Sequence, residues 1–185
     1  MVLYINACVR KESRTDRIAR ALLTTLGDFE ELKLSELGLN TLDEDRLEAR
    51  TNLIEKGELE NPEFELARKF AEADIIVISA PFWDLSFPSE LKVFIENIYI
   101  TGIVSKYNEQ GQPVGLCKAE KLYYVTTSGG PYCETYSYGY IRDLAINYFG
   151  IKETELIKAE MLDVYGYDAE KIVKETILLI SENKI

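Results

Sequence analysis

A segment near the N-terminus combines the side chains and backbone groups that bind phosphate. Residues 6–15 read Asn-Ala-Cys-Val-Arg-Lys-Glu-Ser-Arg-Thr and lead into an amphipathic stretch typical of a helix. Backbone N–H groups at a helix start, hydroxyl groups and arginines together favour a bound phosphate. Arg10, Ser13, Arg14 and Thr15 are therefore candidate phosphate ligands. The alternative interpretation is a solvated loop in which Ser13 or Thr15 is only the N-cap of the helix.

A second segment, residues 80–88, supplies flat apolar side chains directly after an apolar run. It holds the only tryptophan of the chain, two phenylalanines and two prolines. A planar aromatic ligand needs flat walls and hydrogen bonds from a stiff backbone, and this segment can provide both. A hydrophobic plug beneath neighbouring loops is the alternative interpretation. The candidate ring-binding residues are Pro81, Phe82, Trp83, Asp84 and Leu85.

A third segment follows another apolar run and reads Thr-Ser-Gly-Gly-Pro-Tyr over residues 127–132. Paired glycines allow a backbone to approach a ligand closely, although an ordinary tight turn has the same pattern. Ser128, Gly129 and Gly130 are candidate ligand contacts on this basis.

The order of apolar runs and amphipathic stretches predicts the framework that positions these segments. Strands are predicted at residues 2–5, 32–34, 75–78, 122–127 and 155–161. Helices are predicted at residues 15–26 and 43–54, from Pro62, from Pro88, at 134–149 and near the C-terminus. This alternation predicts an α/β fold with a doubly wound, five-stranded parallel sheet of order 2-1-3-4-5, in one domain spanning residues 1–185.

The predicted strand order brings the three segments together. Its winding direction reverses between strands one and three, and ligands of such sheets bind there, beyond the carboxyl ends of the strands. Each candidate segment follows the carboxyl end of a central strand. We therefore expect one binding site made from all three.

The composition excludes several classes of function. The chain has 21 Lys and Arg against 32 Asp and Glu, a net charge of −11, which argues against partners such as nucleic acid or an anionic membrane. It has no histidine, which excludes Ser-His-Asp and Cys-His catalysis. Three scattered cysteines predict neither a metal site nor a disulfide framework. No secretion signal or membrane-spanning stretch is visible, so we expect a cytoplasmic protein.

Together the three segments resemble those of the flavodoxin-fold, FMN-dependent NAD(P)H oxidoreductases, which include the quinone reductases and the bacterial azo-compound reductases. The shared features are Arg-x-x-Ser-x-Thr after strand one, Pro-Phe-Trp-Asp after strand three and Ser-Gly-Gly after strand four. The resemblance covers essentially the whole chain, and it extends to residues 101–116, which are similar to the hairpin beside the flavin in that family.

The resemblance implies a cofactor, a reaction and a role for each segment. FMN would bind through its phosphate to Ser13, Arg14 and Thr15, with help from Arg10. Pro81 to Leu85 would line the isoalloxazine ring, and Ser128, Gly129 and Gly130 would contact its other edge. NADH or NADPH would donate a hydride, and a quinone, azo compound or similar aromatic acceptor would receive it in a ping-pong mechanism, with no catalytic protein side chain.

Two further implications concern assembly and a departure from the family pattern. The hairpin and the exposed aromatic side chains imply a homodimer that closes the pocket. Asp84 stands where azo-compound reductases often have asparagine. A carboxylate directed at the ring would disfavour negative charge on the flavin, so we expect either that only its backbone faces the ring or that the redox potential is lowered.

Three alternatives remain open from the residues alone. Cys8 and Arg14-Thr15 match the C-x5-R-[ST] pattern of low-molecular-weight phosphatases, in which a thiolate attacks phosphorus. That loop lacks a glycine, and an Asp-Pro acid segment is missing downstream. The strong negative charge also suits a flavodoxin-like electron carrier that docks on basic partners. A non-catalytic FMN-binding protein is the third possibility.

Overall fold

Five parallel strands form the central sheet in the computed structural model, which describes residues 1–182. They are β1 (Val2–Asn6), β2 (Phe29–Lys33), β3 (Ile75–Ser79), β6 (Lys121–Thr127) and β7 (Glu153–Ala159). A separate antiparallel hairpin consists of β4 (Ser105–Tyr107) and β5 (Pro113–Gly115). The sheet order is β2-β1-β3-β6-β7, which is 2-1-3-4-5 when the hairpin is not counted. The predicted fold class and strand order are confirmed.

Helices cover both faces of this sheet. They are α1 (Arg14–Leu26), α2 (Glu44–Glu55), α3 (Glu65–Glu72), α4 (Ser89–Ile98), α5 (Tyr138–Leu144) and α6 (Ala169–Ser181). Side chains of α1 and α6 pack on one face, and those of α3, α4 and α5 pack on the other. None of the helices within residues 1–182 is both long enough and apolar enough to span a bilayer.

Double-sided burial explains why the central strands are continuous apolar runs. On β1, Tyr4 packs in the core beneath α1 and α6, whereas Leu3 and Ile5 pack in the opposite core. All five residues of β1 are buried. A strand covered on both faces needs apolar side chains at successive positions rather than at alternate ones. The edge strand β2 pairs on one side with β1, and it is more exposed.

Three predicted elements have different boundaries in the structure. The strand predicted at 32–34 spans Phe29–Lys33 instead, and Leu34 begins a short 3₁₀ helix. The helix predicted at 134–149 begins at Tyr138, because the Glu134 carbonyl accepts hydrogen bonds from the N–H groups of Ser137 and Gly139 in a preceding turn. Its last turn, Ala145–Phe149, is a π-helix. The strand predicted at 155–161 spans Glu153–Ala159 instead, and Met161 has a φ of 67°, which a strand cannot accommodate.

Candidate functional site

A cleft of about 280 Å³ lies at the carboxyl ends of β1, β3 and β6, where the three predicted segments meet. Nine of the twelve predicted site residues line it: Arg10, Ser13, Arg14, Thr15, Pro81, Phe82, Trp83, Ser128 and Gly129. Asp84, Leu85 and Gly130 lie next to the lining residues in the chain but do not line the cleft itself. Sequence reasoning missed five further lining residues: Val9, Glu12, Thr127, Leu162 and Asp163.

The N-terminus of α1 supplies unpaired hydrogen-bond donors to this cleft. Within residues 1–182, the backbone N–H groups of residues 9–15 donate to no protein acceptor. Ser13 is the N-cap, as its Oγ accepts a hydrogen bond from the Asp16 N–H at 3.3 Å. The phosphate and N-cap interpretations of Ser13 are therefore compatible. Free N–H groups at the positive end of a helix are the backbone arrangement that binds a phosphate.

Arg14 and Thr15 connect this helix start to the other side of the cleft. The Arg14 guanidinium donates to the Asp163 carboxylate at 3.0 Å, and both side chains are substantially exposed. Thr15 is buried, and its hydroxyl lies 2.6 Å from that of Thr127 at the end of β6. Asp163 belongs to the segment that follows β7. The predicted strand order places that segment at the same sheet edge, and this was the signal that could have identified it.

The aromatic segment has the stiff backbone that a ring-binding wall requires. The N–H of Ala80 donates to the Val125 carbonyl, and that of Phe82 donates to the Thr127 carbonyl, each at 3.0 Å. Residues 80–82 thus extend the pairing of β3 with β6 beyond the strand. The Phe82 ring packs edge-on against Tyr132, with ring centroids 4.9 Å apart. Trp83 lines the cleft and is 40% exposed, so part of its side chain is accessible to a ligand.

A strained tight turn follows Trp83. Asp84 has a φ of 49° and Leu85 a φ of 67°, although neither is glycine. The Trp83 and Ser86 backbones bond to each other in both directions across this turn, at 3.1 and 2.7 Å. Each non-glycine residue in the left-handed region costs about 1–3 kcal/mol, and such strain concentrates at functional sites. The turn leaves both side chains exposed beside the cleft.

The Ser-Gly-Gly segment presents donors rather than acceptors. The carbonyl groups of Ser128, Gly129 and Gly130 accept N–H groups from residues 161–163, while the Ser128 N–H donates to Ala159. Among the described residues, no acceptor is bonded to the N–H groups of Gly129 and Gly130. A Cβ at Gly129 would lie 2.6 Å from the Asp163 carboxylate, so this exposed side chain would have to move aside for a larger residue.

Tyr132 is held in place by Glu160, which extends the third segment beyond the predicted residues. The Tyr132 N–H donates to the Glu160 carboxylate at 2.9 Å, and Lys158 donates to the same carboxylate at 2.8 Å. The Lys158 ammonium and the Tyr132 N–H lower the pKa of Glu160. Because Tyr132 packs against Phe82, this ion pair supports the aromatic wall.

The lowered pKa predicts a pH-dependent contribution of Glu160 to stability. A group whose pKa is lower in the folded state stabilises the protein above its unfolded pKa, and this stabilisation is lost as the pH falls through the folded pKa. We expect Glu160→Gln to lower the free energy of unfolding at pH 7 by less than about 1 kcal/mol, since the pair is partly exposed. Urea unfolding at pH 7 and at about pH 3.5 should show this difference shrinking in acid. An equal difference at both pH values would contradict the assignment.

Cys8 lies at the start of the loop that leads into α1, and its surroundings do not suit a nucleophile. It is 2% exposed, it is not a lining residue of the cleft, and its Sγ is 3.4 Å from the Ser79 Oγ. Burial raises the pKa of the Cys8 thiol, although the Ser13 and Ser79 hydroxyls act in the opposite direction. A phosphatase needs an accessible thiol with a lowered pKa. The geometry therefore argues against the phosphatase alternative.

Hydrogen-bond donors and aromatic side chains line the same cleft. Helix N–H groups and arginines suit a phosphate, whereas Trp83, Phe82 and the Gly129 and Gly130 N–H groups suit a planar ring with polar edges. Among the described lining residues there is neither a histidine nor a cysteine. The arrangement can bind and orient a phosphorylated ring compound, and the reactive chemistry must then come from that compound.

The comparisons with known proteins agree with this arrangement. A family model described as flavodoxin-like fold matches residues 1–181. The FMN-dependent NADH:quinone oxidoreductase 2 of Clostridium acetobutylicum is 37% identical over 190 residues, covering 95% of this chain and 94% of that protein. An FMN-dependent NADH:quinone oxidoreductase of Clostridium perfringens is 33% identical over 187 residues, with 95% and 93% covered.

Solved structures share the fold at lower identity. An azoreductase from Bacillus anthracis has a TM-score of 0.83 at 23% identity, covering 100% of this chain and 99% of that one. An FMN-dependent NADH-azoreductase from the same species, solved in complex with FMN, has a TM-score of 0.81 at 22% identity, with 98% and 96% covered. By its family match and its full-length relatives, this chain belongs to the flavodoxin-like fold family and, within it, to the FMN-dependent NADH:quinone oxidoreductases.

Proposed function

We propose that this protein is an FMN-dependent oxidoreductase that transfers a hydride from NADH to a quinone or a similar aromatic acceptor. The observation that carries the proposal is the single cleft in which unpaired helix N–H groups, a stiff aromatic wall and two free glycine N–H groups converge. The relatives that match 95% of the chain are named as FMN-dependent NADH:quinone oxidoreductases. That coverage, which includes the hairpin, favours an enzyme over a minimal electron carrier.

The cleft offers groups suited to each part of FMN, and its lining also includes Glu12 and Asp163, the latter paired with Arg14. Arg10, Ser13, Arg14 and Thr15, with the N–H groups of the α1 start, would hold its phosphate. Pro81, Phe82 and Trp83 would line the ring, the turn at Asp84 and Leu85 would border it, and Ser128, Gly129 and Gly130 would meet its other edge. When bound, FMN supplies two-electron chemistry, so the protein needs no nucleophile of its own.

The protein contributes alignment and exclusion of water. Trp83 and Leu85 are exposed, and a nicotinamide or a flat acceptor would stack on the flavin beside them. We propose that NADH and the acceptor occupy this position in turn, which gives ping-pong kinetics. The three cysteines are all free, which is typical of a reducing compartment and supports the cytoplasm as the location.

Titration with FMN tests the proposal directly. We expect flavin fluorescence to be quenched at micromolar protein, with one FMN bound per chain, because each chain has one such cleft among its described residues. The loaded protein should then oxidise NADH when a soluble quinone is added. Absence of quenching would overturn the flavin assignment.

Cys8→Ser separates this function from the phosphatase alternative. The buried thiol has no chemical step in the proposed reaction, so we expect the variant to keep its yellow colour and most of its NADH:quinone activity. Hydrolysis of p-nitrophenyl phosphate by the parent protein, lost in Cys8→Ser, would contradict the proposal.

We also propose a homodimer, supported by a groove beside the cleft. This tyrosine groove, of about 650 Å³, lies between α4, the hairpin and α5, and four tyrosines line it: Tyr99, Tyr107, Tyr140 and Tyr148. It adjoins a second hollow that reaches Ser86 and Tyr136, next to the strained turn. A second copy seated in the groove would bury exposed aromatic surface and cover the open side of the cleft.

Sedimentation should show the dimer and its dependence on the tyrosine groove. We expect a species of twice the 21.1 kDa chain mass at assay concentrations. Tyr107→Glu, which introduces a charge at a half-exposed groove residue, should shift it to the monomer. Tyr165→Glu is the matched control, since Tyr165 is fully exposed on the loop after β7. A monomeric parent protein would contradict the dimer.

A further inference from the structure

Residues 9–12, here called the phosphate-binding segment, have few backbone hydrogen bonds that fix their position. Within the described chain, no hydrogen bond joins the backbone of residues 9–12 to the rest of the protein. On its N-terminal side, the last such bond runs from the Cys8 N–H to the Asn6 Oδ1 at 2.9 Å. On its C-terminal side, the segment enters α1 through the N-cap Ser13. The path of residues 9–12 therefore depends on these two ends.

Both ends of the Asn6 side-chain amide are hydrogen-bonded in the structure. Its Oδ1 accepts from the Cys8 N–H at 2.9 Å and lies 3.4 Å from the Ser79 Oγ. Its Nδ2 donates to the Asp16 carboxylate at 3.1 Å and to the Glu31 carboxylate at 2.8 Å. The side chain is 1% exposed and does not line the cleft. These four partners come from the loop, β3, α1 and β2.

Asp16 joins the same network to the start of α1. Its Oδ1 accepts the Tyr4 hydroxyl at 2.6 Å as well as the Asn6 amide, and its Oδ2 accepts the Arg20 guanidinium at 2.9 Å. The Tyr4 hydroxyl also lies 2.7 Å from the Ser79 Oγ. Because Asp16 is in the first turn of α1, the network sets where that helix begins relative to β1. Both ends of the phosphate-binding segment are thus tied to one buried cluster.

We propose that Asn6 is a positioning residue for the FMN phosphate, acting through the Cys8 N–H and through Asp16. The inference rests on the proposed FMN binding. An asparagine is suited to this position because one amide can accept from a backbone N–H and donate to two carboxylates. An aspartate would face Asp16 and Glu31 with a third carboxylate, and an alanine would leave buried polar groups unpaired.

The proposal predicts a loss of affinity that is confined to the phosphate. We expect Asn6→Ala to raise the FMN dissociation constant about tenfold, as for the loss of well-placed charge-assisted hydrogen bonds. Riboflavin has the same ring and ribityl chain but no phosphate, so its dissociation constant should stay within about twofold. Fluorescence quenching measures both ligands. A residue that is important only for stability would weaken both ligands together or neither.

Two further variants keep the proposal testable if Asn6→Ala does not fold. Tyr4→Phe removes one hydroxyl of the network and keeps the ring in the core, so it should lower the FMN-to-riboflavin affinity ratio by a smaller factor than Asn6→Ala. Tyr138→Phe is the matched control, because it removes a buried hydroxyl that lies 2.9 Å from the Thr154 Oγ1, away from the cleft. Thermal melting of each apoprotein shows whether it is folded.

The outcomes are distinct. If the parent protein binds FMN and the ratio falls in Asn6→Ala and Tyr4→Phe but not in Tyr138→Phe, the positioning role is supported. If Asn6→Ala does not fold, the FMN-to-riboflavin affinity ratio of Tyr4→Phe decides whether the proposal stands. A folded variant with an unchanged ratio overturns the proposal, whereas failure of the parent protein to bind FMN overturns the proposed function instead.

Discussion

Arg14→Ala should weaken FMN binding about 10- to 100-fold, the largest loss that we expect from a single side chain of the cleft. A charge-assisted hydrogen bond to a phosphate contributes roughly 1.5–3 kcal/mol, and the substitution removes it without altering the helix backbone. Arg14 lines the cleft, where its guanidinium bonds to Asp163 at 3.0 Å, and a bound phosphate would share or replace that partner. The measurement is the FMN dissociation constant by fluorescence quenching, together with the loss of flavin on dilution.

Arg17→Ala is the matched control for this prediction. Arg17 lies one turn further along α1 and pairs with Glu170 through two hydrogen bonds of 2.9 and 3.0 Å, but it does not line the cleft. Its loss removes one positive charge from the same helix, and we expect a change in FMN affinity of less than about twofold. Equal losses in both variants would show that only the general charge of α1 is important, and would contradict a direct contact from Arg14.

Gly115→Ala should destabilise the protein more than any surface substitution near the cleft. Gly115 ends β5, where the hairpin docks directly on the end of the π-helix. A Cβ at this position would lie 2.1 Å from the Gly150 nitrogen and 2.2 Å from the Phe149 carbonyl carbon. These are backbone atoms, so a rotamer change cannot relieve the overlap and the hairpin must move. Overpacking of this kind typically costs 1–3 kcal/mol or more, and we expect a melting temperature lower by roughly 3–10 °C.

The same substitution should also impair activity if the hairpin borders the bound substrates. Tyr107 and Tyr148, which line the tyrosine groove, lie on the hairpin and on the π-helix respectively. Gly111→Asn at the tip of the same hairpin is the control, since Gly111 has a φ of 73° that asparagine tolerates and open space around it. If Gly115→Ala has the same melting temperature as the parent protein, the contact between β5 and the helix end is not required for stability.

Much of the fold followed from local patterns in the sequence. The continuous apolar runs at β1, β3 and β6 indicated strands buried on both faces, and the right-handed crossover rule then limited the strand order. The same patterns indicated which loops share a sheet edge, which is why nine of the predicted residues line one cleft. Such predictions succeed because the apolar pattern of each strand or helix, and the right-handed connection between parallel strands, can be read from short stretches of the chain.

Other features depended on contacts between residues far apart in the chain. The sequence around Gly129 suggested close approach to a ligand, and only the structure shows that the Asp163 side chain also approaches this glycine. Cys8 matched a phosphatase pattern, and its burial against Ser79 and the raised pKa of its thiol add to the sequence features that argue against that chemistry. The late start of the helix predicted from residue 134 has a local cause instead, since the Glu134 carbonyl accepts the N–H groups of Ser137 and Gly139 in a separate turn.

The difference has a physical reason. Residue type and spacing determined the α/β class, the strand order and the three binding segments, because these depend on hydrophobic periodicity and on turn chemistry within about ten residues. The tertiary structure decided which donors remain free, which carboxylate faces Arg14 and how Asn6 links four elements. Those properties depend on which backbone and side-chain groups meet across the sheet edge, and hydrogen bonds are satisfied there between residues more than 70 positions apart, such as Asn6 and Ser79.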